Sequence, residues 1–422
     1  MAVRRATLLA VRWLVFGSYD VRRHPRVGVL VQGLRAAGDD VDEVNVPLAL
    51  DTAARVAMLR QPWRLPVLAG RLARCWALLV LRSRRYRAGA PVDAVLVGYL
   101  GHFDVRLARR LFRSTPIVLD HLVSAAGTAR DRGLAGAGGL RAGVLRAIDA
   151  GALHRADVVV LDTAEHLAAL PSQARERAVV VPVGAGAEWF AAGAERARAV
   201  PEIPPDDDPA GRRTRPGGSA GPLRVVFVGL FTPLHGTPTI GAALARLADE
   251  ERIEVTMVGT GQDHPACRAA AAGNPRVTWR DWVPADELPG FVAGFDVSLG
   301  IFGTTEKALR VVPTKVFQGA AAGCAIVTSD TAPQRQALGD AAVLVPPGDA
   351  EALAAALREL ADDPDRLARC RDAARRRAVR RFRPAVVVEP LRSRVGGTAP
   401  VELPPPGVPA TGDPAEPSGV AR

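Results

Sequence analysis

The sequence is poor in aromatic residues and in cysteine, and nothing in it pairs the cysteines. Only 5% of the 422 residues are aromatic, and the four cysteines form no C-x-x-C pair and have no histidine at metal-ligand spacing. Scattered thiols of this kind are typical of reduced, mostly buried cysteines in a cytoplasmic protein. We therefore expect a cytoplasmic location, no disulfide framework and no metal centre. The cysteines are Cys75, Cys267, Cys324 and Cys370.

The sequence also lacks an apolar run suited to a membrane or to export. Its longest stretch without a charged residue, 225–245, contains Gly-Leu-Phe-Thr-Pro-Leu-His-Gly, a turn-forming run that would interrupt a membrane helix. Arg4 and Arg5 stand near the N-terminus, but no apolar segment with a small-residue cleavage site follows them. We expect neither a membrane span nor a signal peptide.

The net charge of +11 comes almost entirely from arginine. With 48% hydrophobic and 23% charged residues, the chain has the composition of a soluble protein of two or three domains. A basic excess favours an anionic partner, such as a nucleotide or an anionic membrane surface, although solvated Arg-rich helices would explain the excess equally well. We expect no nucleic-acid partner.

Short runs rich in Val, Leu and Ile alternate with helical patterns along the first half. The runs have no polar alternation, which is typical of parallel strands covered on both faces. Because helices separate them, such as one over 27–37 that Gly38 ends, they predict right-handed βαβ units in a doubly wound sheet. The predicted strands are 13–16, 41–46, 94–97, 116–119, 158–161 and 179–183.

Residues 201–222 interrupt this pattern with prolines, a run of three aspartates and paired glycines, a composition that predicts a flexible linker. The pattern then restarts. The sequence therefore predicts two Rossmann-like domains, 1–200 and 223–380, followed by a return helix over 381–394 and a disordered tail over 395–422. The predicted strands of the second half are 223–228, 254–258, 276–279, 297–300, 325–328 and 342–345.

Two such domains leave a cleft at the carboxyl ends of their strands, where open α/β sheets bind ligands. This architecture alone fits a dehydrogenase, a sugar-nucleotide epimerase or a periplasmic-type binding protein. The first βα turn, 17–24, has no G-x-G-x-x-G and no acidic residue at a ribose position, which argues against a dinucleotide cofactor on the first domain.

Two glycine-containing turns follow strands of the second half. The run Gly229-Leu-Phe-Thr-Pro-Leu-His235-Gly236 precedes a helix, so its backbone N–H groups can face a phosphate, with His235 as an added donor. The turn Gly259-Thr-Gly261 closes the next strand. Taken alone, each turn is equally well explained as an ordinary structural βα connection.

A segment over 299–330 carries the most informative pattern: a strand, a polar loop, a short helix, a glycine stop and another strand. Its loop and helix hold Glu306, Lys307, Arg310 and Lys315 close together. Three bases with one acid at a strand end repel one another unless an anion such as a diphosphate binds there. The alternative is a solvated charged loop.

This segment resembles the donor-binding region of retaining glycosyltransferases of family 4, especially bacterial members with a TEKA...VPxKV(F/Y)E run. The likeness extends to 227–236, 282–288 and 345–349 in the second half, and to four stretches of the first half, so it covers most of 12–380. The resemblance implies the GT-B fold, two Rossmann-like doubly wound domains facing a central cleft. It also implies a nucleotide-sugar donor on the second domain and an acceptor on the first. The four stretches are 97–104, 120–132, 156–166 and 181–185.

The resemblance implies a set of site residues. The donor-binding candidates are Gly229, His235, Gly236, Gly259, Gly261, Val283, Lys307, Arg310, Pro313 and Gln318. The catalytic candidates are Glu306, Lys315 and His121, and the acceptor-binding candidates are Gly17, Arg22, His24 and His102. Each histidine also has an ordinary structural explanation. Because cations and a helix N-terminus can stabilise the nucleotide diphosphate leaving group, we expect no metal or other cofactor.

Four positions depart from the family pattern. Family members carry an E-x7-E pair, whose first position is Arg310 here and whose second position is Gln318. Glutamine keeps an acceptor oxygen for a ribose hydroxyl. The usual arginine and lysine of the diphosphate loop are Leu230 and His235. We therefore expect Lys307, Arg310 or Lys315 to carry the phosphate charge and Glu306 to contact the sugar.

Residues 54–87 combine eleven Arg or Trp residues with Leu and Val. This composition fits a helix lying on an anionic membrane surface, and it fits equally a helix pair packed on the first sheet with arginines outward. The leading hypothesis is a glycosyltransferase that makes a bacterial surface glycan or glycoconjugate. If the membrane interpretation of 54–87 holds, the protein is peripheral on the inner face of the cell membrane and its acceptor is lipid-linked. The alternatives are a GT-B-shaped sugar-nucleotide epimerase and a non-catalytic degenerate GT-B partner. The sequence leaves the oligomeric state open.

Overall fold

The computed structural model describes residues 10–21, 24–48, 63, 65–89, 92–99, 101–122, 124–131, 133, 139–199 and 221–396. These residues form two α/β units, each built around a six-stranded sheet. Arg22, the predicted linker as far as residue 220, and the predicted tail from residue 397 lie outside the described residues.

The first sheet has the strand order β2-β1-β3-β4-β5-β6, and all its neighbouring strands are parallel. Its strands are β1 (Arg12–Gly17), β2 (Asp40–Asn45), β3 (Ala94–Val97), β4 (Ile117–Asp120), β5 (Val158–Leu161) and β6 (Ala178–Val180). Its helices are α1 (Arg26–Ala36), α2 (Leu65–Arg82), α3 (Arg84–Ala88), α4 (Asp104–Leu111), α5 (Ala125–Asp131), α6 (Leu140–Arg155), α7 (Ala164–Ala168), α8 (Ser172–Arg175) and α9 (Ala187–Ala199).

The second sheet has the order β12-β11-β10-β7-β8-β9 and is likewise parallel throughout. Its strands are β7 (Leu223–Val228), β8 (Ile253–Val258), β9 (Val277–Arg280), β10 (Val297–Leu299), β11 (Ala325–Ser329) and β12 (Val343–Val345). Its helices are α10 (Thr237–Arg246), α11 (His264–Ala270), α12 (Leu288–Ala293), α13 (Thr314–Ala321), α14 (Ala332–Leu338), α15 (Ala350–Asp362) and α16 (Pro364–Arg381). Short 3₁₀ turns occupy Pro233–His235, Ala308–Arg310 and Gly339–Ala341.

Burial of the side chains distinguishes the central strands from the edge strands. Every residue of β3, β4 and β5 is buried, because helices cover both faces of the sheet there. At the edges, β2 and β9 alternate buried or half-buried residues with exposed ones. The continuous apolar runs at 94–97, 116–119 and 158–161 therefore correspond to strands with helices on both faces.

The chain passes between the two units twice, once before the first strand of the second sheet and once after α16. Helix α9 packs on α12 and α13, so closely that a Cβ at Gly193 would lie 2.3 Å from the carbonyl oxygen of Ala321. After α16, the helices α17 (Pro384–Val387) and α18 (Glu389–Val395) pack on α1 and on β5 and β6 of the first unit. The last described helix thus belongs to the core of the first unit.

One ion pair fixes α18 to the first unit. Arg392 donates from Nε and Nη2 to the two carboxylate oxygens of Asp39, each at 2.8 Å. Asp39 also accepts hydrogen bonds from the indole of Trp13 and from the backbone N–H of Val11. The side chain of Asp39 is fully buried, so the bidentate guanidinium offsets the cost of burying its charge.

A second buried ion pair fixes the start of α1 to the end of β4. Arg26 donates from Nε to Asp120 at 2.8 Å, and its other nitrogens donate to the carbonyl oxygens of Val181 and Pro182. Burial raises the pKa of Asp120 above its ordinary value, and the charge of Arg26 opposes that shift. Both side chains are almost completely buried.

Arg26→Met should destabilise the protein by about 3–5 kcal/mol, because it leaves the Asp120 carboxylate buried without its counter-ion. Urea unfolding followed by tryptophan fluorescence measures the loss. The deficit should shrink as the pH falls, because a protonated Asp120 no longer carries the uncompensated charge. Arg35→Met on the same helix, which removes a half-exposed pair with Glu43, serves as the control and should cost less than about 1 kcal/mol. An equal loss in both variants would contradict this account.

Candidate functional site

The carboxyl ends of the strands of the two sheets face one another across a cleft. On the second sheet, the loop after β7 and the long connection between β10 and α13 lie at this edge. On the first sheet, the edge is formed by the turns after β3, β4 and β5 and by helix α5. The carboxyl ends of parallel strands lie at the same edge of a sheet, so the polar residues of these loops lie close together in each unit.

Polar contacts join α5 to residues 304–310, which we call the donor loop. Thr305 donates its hydroxyl to Asp131 at 2.6 Å, and Lys307 donates to the hydroxyl of Thr128 at 3.1 Å. From the end of β5, Thr163 donates to the carbonyl oxygen of Arg310 at 2.8 Å. The donor loop is thus held by side chains of the opposite unit.

Glu306 lies in the middle of this interface. Its carboxylate accepts from Arg130 of α5 at 3.2 Å and pairs with Arg310 at 2.8 Å, and 54% of its side chain remains exposed. The repulsion predicted among the basic residues of this segment is therefore partly offset by Glu306 itself. Its role as a catalytic carboxylate stays a prediction.

Lys315 is buried and has no hydrogen-bond partner among the described residues. It stands in the first turn of α13, two residues after Pro313, and its Nζ lies 3.7 Å from the ring centroid of Phe227. A Cβ at Gly229 would lie 2.7 Å from that Nζ, so the glycine leaves the space that the lysine occupies. Burial lowers the pKa of Lys315 well below its ordinary value, because no described acidic residue pairs with the amine beside the loop after β7.

The loop after β7 is tightly packed. His235 bends its Nδ1 back to the carbonyl oxygen of Leu230 and to the hydroxyl of Thr232. Gly236 adopts a left-handed conformation with φ of 61°, and a Cβ there would lie 2.3 Å from the backbone nitrogen of Gly303. Glycine is therefore required where this loop meets the start of the donor loop.

The remaining donor candidates lie in three places. Gly259 and Gly261 sit against the loop after β7, since a Cβ on either would come within 2.4 Å of a backbone oxygen of Gly229 or Phe231. Gln318 is partly exposed and follows Lys315 by three residues, which places both on one side of α13. Val283, by contrast, is buried in a hydrophobic cluster of the second unit.

The acceptor candidates of the first unit are brought to the cleft edge with different partners. Gly17 adjoins Asp104, whose carboxylate accepts from the backbone and hydroxyl of Ser18, each at 2.7 Å. His24 packs against Tyr99 with the two rings tilted and their centroids 4.3 Å apart. Arg22, the fourth candidate beside His102, lies outside the described residues.

His102 and His121 are both buried and meet edge to face, with ring centroids 5.3 Å apart. Burial and the adjacent His102 lower the pKa of His121 to about 4, so its imidazole is neutral at pH 7. Nε2 of His102 lies 3.0 Å from the carboxylate of Asp149 on α6. These three side chains form a group within metal-ligand reach of one another, whereas the cysteine spacing alone had predicted no metal centre.

The sequence analysis missed four residues of this site. Thr128, Arg130 and Asp131 lie on α5 and contact the donor loop, and Asp149 lies on α6 and contacts the start of α5. Asp149 accepts hydrogen bonds from the backbone of Ala125 and Ala126 and so caps the helix. Burial raises the pKa of Asp149, but His102 and these N–H groups together lower it to about 2.

One sequence signal was available for the second unit. The chain has only two lysines, Lys307 and Lys315, and both lie in the charged segment after β10.

Residues 222–363 match the family model described as glycosyl transferases group 1. The match spans the second sheet and the donor loop, and it supports a glycosyltransferase of the broad GT-B superfamily. No curated protein matches the sequence. None of the helices in the described part of the chain is long and apolar enough to cross a membrane.

Several solved structures share the architecture of the whole chain, and at these sequence identities the likeness concerns the fold. The chain has the GT-B fold, two Rossmann-like units facing a cleft. The relatives include sucrose-phosphate synthase from Thermosynechococcus elongatus, at 16% identity over 89% of this chain and 96% of that chain with a TM-score of 0.60. They include Anabaena HepE in complex with UDP and glucose, at 14% identity over 92% of this chain and 100% of that chain with a TM-score of 0.61. A UDP-forming trehalose-phosphate synthase from Burkholderia xenovorans matches at 13% identity over the same shares, with a TM-score of 0.61.

Lys315→Met should stabilise the protein by about 1–3 kcal/mol at pH 7, because it removes a buried amine that has no hydrogen-bond partner among the described residues. The folded-state pKa of Lys315 lies below the unfolded value, so the unfolded chain binds more protons and wild-type stability rises with pH. The advantage of the variant should therefore shrink as the pH approaches about 10.4. Urea unfolding at several pH values measures both effects.

The control is Lys307→Met, which removes the chain's other lysine from a partly exposed position and should change stability by less than about 1 kcal/mol. A Lys315→Met variant less stable than the wild type at pH 7 would show that the amine has a stabilising partner.

Proposed function

We propose that this chain is a glycosyltransferase that moves a sugar from a nucleotide diphosphate donor to a glycan, lipid-linked or small-molecule acceptor, with retention of configuration. The family match over the second unit and the GT-B fold support glycosyl transfer. Retention rests on the resemblance to family 4 alone.

The observation that carries this proposal is the buried amine of Lys315 beside the loop after β7, for which the described part of the chain supplies no hydrogen-bond partner. A diphosphate in that loop would place its charge next to Nζ, and the amine would take up a proton on binding. Lys315 would then replace the cations that Leu230 and His235 do not supply. A charge fixed at the leaving group stabilises the transition state more than the ground state.

The other donor contacts follow from the same placement. Gln318, on the same side of α13, offers an amide oxygen to a ribose hydroxyl. Glu306 would contact the sugar after exchanging Arg130 or Arg310 for the substrate, and the guanidinium groups it releases would face the phosphates. Because Anabaena HepE is described in complex with UDP and glucose, UDP-glucose is the first donor to test.

A panel of nucleotide sugars tests the reaction. The protein is incubated with UDP-, GDP- and other nucleotide-linked sugars, with and without a membrane lipid extract, while nucleotide release and sugar identity are followed. Nucleotide release that depends on an acceptor supports transfer. An epimerised donor formed without any acceptor would assign the chain to the epimerases, and tight binding without turnover in every pairing would make it a non-catalytic partner.

Lys315→Met and Glu306→Ala should each lower kcat by about 100-fold or more with the active donor and acceptor, as expected for the loss of one charge-stabilising group. The Lys315 variant is expected to fold more stably than the wild type, so its lost activity would not reflect unfolding. Arg366→Met, on an exposed part of α16, is the control and should retain wild-type kcat. Near-normal rates in both site variants would reject the site assignment.

We further propose that the first unit binds an anionic membrane surface through the N-terminal half of α2. The C-terminal half of this helix is packed: Cys75 and Leu79 are buried, and the indole of Trp76 donates to Asp104 at 2.9 Å. The N-terminal half is open, with Val67 52% exposed. The helix has no acidic residue, so its arginines and exposed apolar side chains suit anionic lipid.

A second helix of the first unit, α6, also exposes apolar side chains. Leu140 and Val144, in the N-terminal half of α6, are 87% and 51% exposed. Helices α2, α4 and α6 share one hydrophobic cluster and so lie on the same face of the first sheet. Both α2 and α6 lead towards the amino ends of strands, so their exposed halves lie on the cleft side. Within the segment 54–87, for which the sequence allows a membrane-surface helix, residues 54–62 and 64 lie outside the described residues.

Vesicle co-sedimentation measures this interaction. The protein should bind vesicles of phosphatidylcholine with phosphatidylglycerol, bind weakly to phosphatidylcholine alone, and be released by salt. Replacing Arg71 and Arg74 together by Glu should weaken binding about tenfold or more, at roughly 1 kcal/mol per basic residue. Replacing Arg366 and Arg369 of α16 by Glu is the charge-matched control. Equal loss in both double variants would mean that net charge alone, without this surface, governs binding.

A further inference from the structure

His102, His121 and Asp149 meet from three separate elements of the first unit. His102 lies in the turn before α4, His121 directly follows β4, and Asp149 lies in the middle of α6. All three side chains are buried, and one ligand atom from each lies within 4.8 Å of the others. Wide separation along the chain conceals this convergence from any reading of local spacing.

The contacts within this cluster leave one ring nitrogen of each histidine without a hydrogen-bond partner among the described residues. Nε2 of His102 lies 3.0 Å from Oδ1 of Asp149, yet it makes no aligned hydrogen bond there or with any other described residue. Nδ1 of His121 is likewise buried without a hydrogen-bond partner among the described residues. Two ligand atoms about 3 Å apart that do not point at each other are placed as they would be around a common cation, whose ligand distances are about 2.0–2.2 Å.

Asp149 is held as metal-ligating carboxylates are held. Its Oδ2 accepts from the hydroxyl of Ser124 at 2.7 Å and from the N–H of Ala126 at 3.1 Å, while Oδ1 accepts from the N–H of Ala125 at 2.9 Å. Outer donors of this kind fix the orientation of a ligating carboxylate and keep it ionised. The cluster therefore offers one oriented anionic oxygen and two imidazole nitrogens.

We propose that His102, His121 and Asp149 bind one divalent transition-metal cation of the Zn²⁺ type. Two imidazoles with one carboxylate suit Zn²⁺ and its neighbours in the first transition series, whereas Mg²⁺ prefers an all-oxygen set. The ligand atoms must close by less than about 1 Å to reach Zn²⁺ distances. Bound there, the cation fixes Asp149 and through it the start of α5, which contacts the donor loop.

Metal binding by the full-length protein, freed of any affinity tag, tests this proposal directly. After chelation, titration with Co²⁺ should produce a visible absorption band that saturates at one equivalent per chain. Zn²⁺ should displace the band and Mg²⁺ should leave it unchanged. The Zn²⁺-loaded protein should also unfold at a higher temperature than the chelated protein. Absence of a saturable Co²⁺ band in the wild-type protein would overturn the proposal.

Variants locate the cation. His102→Gln and His121→Gln should each weaken Co²⁺ binding on the order of 100-fold or more, because loss of even an outer partner costs 10- to 100-fold. His154→Gln, an exposed histidine on the same helix as Asp149, should bind as the wild type does. Circular dichroism checks that each variant is folded. Unchanged affinity in folded His102 and His121 variants would place the cation elsewhere and overturn the assignment.

Discussion

The carboxylate of Asp149 accepts hydrogen bonds from the first two N–H groups of helix α5, and the arrangement of the cleft depends on this contact. A helix of seven residues cannot sustain itself, and its first N–H groups have no partners within the helix. Asp149 supplies both the partners and a negative charge at the positive end of the helix. Through α5 it positions the side chains that reach the donor loop: Thr128, Arg130 and Asp131.

On the opposite side of the cleft, the second unit buries a polar group that lowers the stability of the fold. Lys315 is buried beside the glycine loop after β7, with the face of Phe227 against its amine and no hydrogen-bond partner among the described residues. An unpaired amine in a folded protein lowers stability, and a ligand anion relieves that cost when it binds. At the donor loop, helix α5 of the first unit therefore contributes satisfied hydrogen bonds that orient the loop. The second unit contributes the unsatisfied amine of Lys315, which favours an anionic ligand.

The strands could be predicted from the sequence because burial on both faces leaves continuous apolar runs. The runs at 94–97, 158–161 and 223–228 correspond to strands with the same bounds. Where the edge strand β2 mixes Asp and Glu with Val, the prediction differed from the structure by one residue at each end. The GT-B fold followed from this order of strands together with the resemblance in the donor segment.

Contacts across the cleft could not be predicted in the same way. Asp149 stands in the middle of a helix whose other residues give no sign of chemistry, and its partners are set by how α6 crosses the sheet. The pairing of Glu306 with Arg130 joins residues of two units and depends on how the sheets face each other. Lys315 was marked by charge alone, and only the packing explains why its amine lies against Gly229.

The return of α17 and α18 to the first unit has a consequence for biosynthesis. Domains generally fold in order as they emerge from the ribosome. Here Asp39 receives its guanidinium partner only from Arg392, and Leu391 completes a cluster that begins with Val11 and Trp13. The unit made first therefore remains unfinished, with an unpaired acid and open apolar surface, until the second unit has been synthesised, so the two units complete their folding together.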